Sequence, residues 1–234
     1  MQQTQQAEKP RTRPAWLIII SLSIPMFMAS LDNLVVTNAL PVMRADLGAT
    51  LEELTWTVNA YTLTFASCIL MSSALADRFG RRRVFLLGIF VFTASSAWCG
   101  ISDNIGTLIT ARTLQGIGGS AVMPLSLALL STSVPERMRA TAIGIWGGVA
   151  GLGVALGPLI GGAVVEGMTW HAIFWINVPF GLLCIPLVWF TIPESRGRPE
   201  PLDFPGLALV GIGLFGITYG IVRGNDAGWT SLEV

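Results

Sequence analysis

Two side chains in this sequence carry charge where an apolar chain should not tolerate it. Asp32 and Arg112 both lie inside long hydrophobic stretches. A charge at the centre of a bilayer costs about 3 kcal/mol even on the mildest scales, so such residues are paired, face water or perform a function. Their types differ in what they can do. An arginine stays charged, whereas a carboxyl group can gain and lose a proton. An apolar surrounding favours the neutral acid and a nearby guanidinium favours the carboxylate, so moving Arg112 relative to Asp32 would switch proton affinity. Such a switch is the thermodynamic requirement for coupling one equilibrium to another. The competing reading of the same two residues is a static ion pair.

The elements that must position them are hydrophobic helices. The chain of 234 residues is 52% hydrophobic and only 12% charged; soluble domains are about a quarter charged. Seven apolar segments are read as spans, at about 15–40, 55–76, 84–102, 107–132, 140–165, 172–192 and 206–222. Each approaches the ~20 residues that a helix needs to cross the hydrocarbon core. Helices satisfy their own backbone groups in lipid, and no alternating barrel strands are visible. The expected fold class is all-α integral membrane. The run from Ala15 to Leu31 is too long for a signal peptide, so a retained first helix is expected.

Charge orients the spans. With seven spans, one side receives Lys9, Arg11, Arg13, Arg78, Arg81, Arg82, Arg83, Arg137, Arg139, Arg196 and Arg198, most of the 14 basic residues. By the positive-inside rule that side, with the N-terminus, is cytoplasmic in a plasma or inner membrane. Five of the charges crowd into "SALADRFGRRRVF", Ser73 to Phe85. Orientation accounts for Arg81 to Arg83 but does not require Asp77, which could pair with an arginine or cap a helix N-terminus. That suits a latch made in one conformation and broken in another.

Enzymatic classes find no footing. The single lysine, Lys9, lies in the polar tail and cannot serve a P-loop. His171 has no companion for a metal site or a triad and is read as interfacial. "GLGVALG", Gly151 to Gly157, follows no strand, and Ser120 lacks a nucleophile elbow. No catalytic or metal-binding residues and no cofactor are expected. Nucleic-acid binding is not expected either, because topology already explains the arginines. Cys68, Cys99 and Cys184 fall in separate spans and read as small packing residues.

The residues around Asp77 carry a resemblance. "LADRFGRRR" resembles the cytoplasmic-loop signature of the major facilitator superfamily, G-x-L-A-D-R-x-G-R-[KR]-x, with Leu75, Ala76, Asp77, Arg78, Gly80, Arg81 and Arg82 matching and Ser73 at the leading glycine. "LITARTLQGIGGSAVMP" is similar to the fourth-helix signature, with Arg112, Gln115, Gly116 and Gly118 in register. "GVALGPLIGG" resembles the fifth-helix antiporter signature through Gly153, Gly157, Pro158, Gly161 and Gly162. "LDNLVVTNALP" is similar to the first-helix signature of drug exporters, with Asp32, Ala39, Leu40 and Pro41 matching, Leu34 at the usual threonine and the asparagine displaced to Asn38. "WHAIFWINVPFG" and "LDFPGLALVGIGLFGITYG" point to the fourteen-helix drug:proton antiporter branch, with His171 where arginine is common.

The resemblance implies a six-helix N-terminal bundle of 3+3 inverted repeats over 15–192, plus one additional transmembrane helix at 206–222. A cytoplasmic tail (1–14), a cytoplasmic linker (193–205) and an extracytoplasmic end (223–234) would complete the chain. It implies proton coupling by Asp32 and Arg112, a conformational latch at Asp77, Arg78, Gly80, Arg81 and Arg82, and a bending or sealing role for the fifth helix. The implied activity is proton-driven export of hydrophobic or cationic drugs by alternating access around a midplane site, with the proton gradient as energy source. Implied partners are the lipid bilayer, a small-molecule substrate and a C-terminal half, this chain being about half of a longer protein. Export of a metabolite or nutrient-like solute, or a non-transporting sensor or scaffold, are the alternatives. Met26, Phe27, Met123 and Trp146 are candidates to line an adaptable cavity without being assigned as ligands.

Overall fold

The computed structural model describes residues 13–197 and 204–227, all of whose regular structure is helical. Eight helices follow in order: α1 (Ala15–Leu47), α2 (Leu51–Phe79), α3 (Arg81–Cys99), α4 (Ile105–Ser133), α5 (Glu136–Gly167), α6 (Ala172–Trp175), α7 (Asn177–Thr191) and α8 (Phe204–Ala227). The N-terminal residues 1–12, residues 198–203 of the expected linker and residues 228–234 of the expected extracytoplasmic end lie outside the described residues.

Most helices overrun the spans expected from hydropathy, and polar caps set the starts of α2 and α4. α2 begins in a capping box: Glu53 N donates to Thr50 Oγ1 at 3.3 Å, and Thr50 N donates to Glu53 Oε2 at 2.8 Å. Asn104 Oδ1 accepts from Thr107 N at 2.9 Å and starts α4. Gly48, at φ 60°, ends α1 in the left-handed conformation that only glycine adopts without strain. The sixth expected span is not one helix. It divides at Ile176 into α6 and α7, where Pro179 has no N–H to donate to the Trp175 carbonyl.

Among the described residues, six helical stretches are long and apolar enough to cross a membrane; the last of them runs across the α6–α7 break, from Ala172 to Thr191. The seventh apolar piece, Pro205–Ile221 of α8, is shorter. It lies on α2, where Tyr219 meets Trp56 at a ring separation of 5.9 Å.

The packing repeats itself. α1 lies on α5 and α4 on α2, α3 lies on α4 and α7 on α1, and α1 and α4 cross each other. Exchanging α1 with α4, α2 with α5 and α3 with the α6–α7 unit maps these contacts onto one another. Short connections make successive helices antiparallel, so the two triplets run in opposite directions. This is the 3+3 inverted-repeat bundle. Its symmetric centre is the most buried part: 67% of the apolar window of α1 and 61% of that of α4 are enclosed, against 11% for α5.

Glycines let the central helices approach. A Cβ at Gly118 would meet Phe92 N of α3 at 2.5 Å, and one at Gly116 would collide with Tyr61 O and Thr64 Oγ1 of α2. α4 is thereby wedged between α2 and α3 at the level of Arg112. On α5, Gly153, Gly157 and Gly161 close on α1, where a Cβ would meet Phe27 O at 2.9 Å, Leu34 Cβ at 2.8 Å and Asn38 Cβ at 3.3 Å. Small residues at four-residue spacing permit such contact between membrane helices. Gly162 and Gly148 face open space instead, and Pro158 is exposed.

Candidate functional site

α1 and α4 cross with Asp32 opposite Arg112. Arg112 Nη1 donates to Asp32 Oδ2 at 2.6 Å, and both side chains are only 1% exposed. A second residue of α4 and one from a further helix complete the carboxylate's surroundings. Gln115 Nε2 of α4 and Asn177 Nδ2 of α7 donate to Asp32 Oδ1 at 3.0 and 2.8 Å. Among the described residues every polar neighbour of Asp32 is therefore a donor, a set suited to a carboxylate acceptor.

A second layer fixes the donors. Gln115 Oε1 accepts from Arg112 Nη1 at 2.8 Å, so the amide is oriented by the guanidinium it helps. Ser96 Oγ of α3 accepts from Asn177 and Gln115 at 2.9 and 3.3 Å and donates to Phe174 O at 3.1 Å. Arg112 Nε donates to Thr57 O of α2 at 3.3 Å, and the guanidinium carbon sits 4.4 Å from the Tyr61 ring centroid. A cation over an aromatic face gains about 2 kcal/mol when water is excluded. All six expected bundle helices but the fifth contribute to this cage. In low dielectric its hydrogen bonds are strong and each missing partner is costly.

The sequence pointed to Asp32 and Arg112 as a pair and to Gln115 only as part of the fourth-helix motif; the structure brings the three side chains together. Sequence reasoning missed Asn177, Ser96, Thr57 and Tyr61. Asn177 left a signal, being the one amide in the sixth apolar segment. Tyr61 is one of two tyrosines. Ser96 and Thr57 left none, because hydroxyls in membrane helices usually bond their own backbone. Gly116 and Gly118 are packing contacts, not ligands. Cys99, expected to be simple packing, also donates its thiol weakly to Gln115 Oε1 at 3.7 Å.

The Arg-rich turn forms a second cluster at the far end of the bundle. Gly80, at φ 112°, separates α2 from α3 by itself. Asp77 Oδ1 accepts from Arg81 Nε at 2.8 Å, across one helical turn's spacing. Asp77 does not cap α3; Glu194, beyond α7, does so, its Oε1 accepting from Arg82 N at 3.0 Å. Gly80 is small because Glu194 lies on it, and a Cβ there would meet the carboxyl carbon at 2.7 Å. Arg82 Nη1 reaches the carbonyls of Trp189 and Ile192 at the end of α7, at 3.3 and 3.1 Å. Arg81 N donates to Ser195 O, and Gly197 N to Asp77 O. Segment 192–197 is thus strapped across the turn. Arg78 makes no ion pair among the described residues and lies against Phe79. Sequence reasoning did not single out Glu194, whose position in a presumed linker hid it.

Other expectations find their places. His171 bonds Ser102 O at 3.1 Å and stacks on Trp170, at a helix end as expected of an interfacial residue. Met26 is core and Trp146 donates to Ser126 Oγ, whereas Met123 does line a cavity.

Residues 22–231 match the Major Facilitator Superfamily. Over 225 residues the chain is 36% identical to the tetracenomycin C resistance and export protein of Streptomyces glaucescens, covering 95% of this chain and 42% of that protein. It is 35% identical to the riboflavin transporter RibZ of Clostridioides difficile over 83% of this chain and 43% of that protein. The chain spans about two-fifths to one half of the length of the curated relatives it matches. The crystal structure of the POT family transporter PepTSo shares the fold, with a TM-score of 0.70 at 15% identity, covering 94% of this chain and 49% of that one.

Proposed function

This chain belongs to the major facilitator superfamily, a multi-pass membrane transport family and not an enzyme family, and from that premise we propose that it forms the N-terminal portion of a proton-coupled exporter of hydrophobic or cationic small molecules. The Asp32–Arg112 cage is the observation that carries the reading. A scaffold has no need of a buried ion pair with a full donor shell, whereas a proton-coupled machine needs a carboxyl group whose partners can leave. In the arrangement described, three donors hold the Asp32 carboxyl group. Separating α1 from α4 and α7 would remove Arg112, Gln115 and Asn177 from it. An uncompensated carboxylate in an apolar site takes up a proton. Alternation between the two states would exchange substrate for proton, by alternating access around the bundle's centre.

The open faces fit a larger assembly. α5 leaves the side carrying Gly144, Gly148 and Gly162 uncovered, with Leu159 69% exposed, and a C-terminal half would dock there. In this reading the strapped turn, with Asp77, Arg78, Gly80, Arg81 and Arg82, lies at the cytoplasmic surface of the plasma or inner membrane beside the N-terminus, and its ion pairs hold one conformation.

Efflux from energised cells, with and without Asp32→Asn, tests this. The wild-type protein should lower drug accumulation only while a proton gradient exists, and Asp32→Asn should abolish the gradient-driven component. Equal efflux by both would remove Asp32 from coupling. A nutrient-like cargo is the second reading, favoured by the riboflavin-transporting relative, and the same assay with vitamins in place of drugs separates it.

A further inference from the structure

At the end of the bundle that carries the strapped turn, a half-open pocket of about 460 Å³ lies between four helix ends. Arg13 and Arg82 come from the starts of α1 and α3, Val134 from the end of α4, and Trp189 and Phe190 from the end of α7.

Its surfaces differ in chemistry. The floor is apolar, with Ile18, Val134 and Ile192 all buried. The outer wall is aromatic and open, Trp189 and Phe190 being 52% and 64% exposed. On the last turns of a membrane-spanning helix, such rings sit where hydrocarbon meets headgroups. The rim is basic, and no carboxylate is among the described lining residues.

Arg82 is fixed in place at this rim. Its Nη1 donates to the Trp189 and Ile192 carbonyls, and its guanidinium carbon lies 5.0 Å from the Trp189 ring centroid. Those bonds also cover carbonyls at the negative end of α7 that would otherwise repel an anion. The protein meets the arginine's charge only in part. Glu194 Oε2 stands 3.9 Å from Arg82 Nε and 3.7 Å from Arg83 Nε, beyond hydrogen-bond reach. Arg82 Nε and Glu194 Oε2 are both enclosed without a hydrogen-bond partner among the described residues. One carboxylate thus serves two guanidinium groups and the first turn of α3. Arg13 makes no ion pair among the described residues. It precedes α1, whose start has no side-chain cap, so the positive end of that helix adds to its charge.

Unmatched positive charge above an apolar floor, beside rings open to lipid, is complementary to an amphiphile with an anionic head. Basic pockets between membrane helices suit such headgroups, and the cytoplasmic leaflet supplies them. The planar guanidinium also matches a phosphate's oxygens. We propose that this pocket binds an anionic phospholipid of the cytoplasmic leaflet, with its phosphate at Arg13 and Arg82 and its acyl chains along Trp189 and Phe190. The proposal goes beyond the transport reading and takes from it only the orientation of the bundle. A lipid fits better than free phosphate, because only a lipid buries the apolar floor and outer wall. Ile192 lines the pocket and begins the strapped segment, so an occupant braces the strap where it leaves α7.

Native mass spectrometry of the intact chain in neutral detergent counts bound lipids and needs no transport. Without a charged bilayer surface, basic residues outside the pocket exert no general pull on the lipid. Dioleoyl phosphatidylglycerol should bind at least about tenfold more tightly than dioleoyl phosphatidylcholine. Arg13→Gln and Arg82→Gln should each weaken phosphatidylglycerol by roughly three- to tenfold and leave phosphatidylcholine unchanged. Arg139→Gln, exposed near the start of α5 and outside the pocket, should change either by less than about twofold. Arg13 is exposed, so its substitution decides the matter if loss of Arg82 disturbs the turn. Excess inorganic phosphate should not displace the lipid. Equal binding of the two lipids, equal losses at Arg13 and Arg139, or displacement by phosphate, which would mark a free-anion site, would overturn the proposal. Efflux is not measured, so failure here leaves the Asp32→Asn result standing, and a negative Asp32→Asn result leaves this one standing.

Discussion

The chain holds two aspartate–arginine pairs of nearly equal length in opposite surroundings. Asp32 and Arg112 meet at 2.6 Å with 1% of each side chain exposed; Asp77 and Arg81 meet at 2.8 Å with 46% and 22% exposed. Distance therefore says almost nothing about what either pair contributes. Exposed pairs contribute about 0–1 kcal/mol, because water solvates the separated charges nearly as well. A buried pair is different in kind: its formation barely repays desolvation, yet removing one partner strands the other at a cost of about 3–5 kcal/mol. In the proposed mechanism the first pair would be switched and the second made and broken cheaply.

The largest effect is expected at the cage. Arg112→Ala should lower stability in nanodiscs by about 3–5 kcal/mol, measured by denaturant or thermal unfolding, whereas Asp32→Leu combined with Arg112→Met should recover most of that loss. If the single substitution costs no more than a surface pair, the cage is solvated and the contrast collapses. A middle effect is expected next to it. Gly118→Ala forces a methyl group onto Phe92 of α3 and should cost about 1–3 kcal/mol, while Gly148→Ala, which meets nothing within 4 Å, should be neutral or slightly stabilising. Equal outcomes at the two glycines would mean that α4 is not wedged as described. The smallest effects belong to the turn. Glu194→Gln and Asp77→Asn should each cost under about 1 kcal/mol, Glu194→Gln more because it also caps α3, and both losses should shrink in high salt.

The same contrast explains what could be read without coordinates. Asp32 and Arg112 were legible because a charge in an apolar run is conspicuous whatever it touches. The helices were legible because a bilayer demands about 20 apolar residues in a row. Asn177, Ser96 and Tyr61 were not, since a neutral polar group in a membrane helix is common and its partner is set by how α7 and α3 rotate against α1. Glu194 illustrates a different loss. Charges outside a span look like solvated linker, and only the fold brings residue 194 onto Gly80. The break at Ile176 was written in Pro179, but proline is tolerated inside other helices here, at Pro25, Pro41 and Pro124, without dividing them. Neighbours that re-satisfy the freed carbonyl decide the outcome.

The carboxyl stretch of Asp32 tests the central claim most directly. Infrared difference spectra of the protein in lipid, recorded while pH and bound substrate are varied, separate a protonated carboxylic acid from a carboxylate. The expected result is an acid band that grows as pH falls or substrate leaves, vanishes on substrate binding and is missing in Asp32→Asn. A carboxylate signal at Asp32 that never changes under any of these conditions would contradict the account.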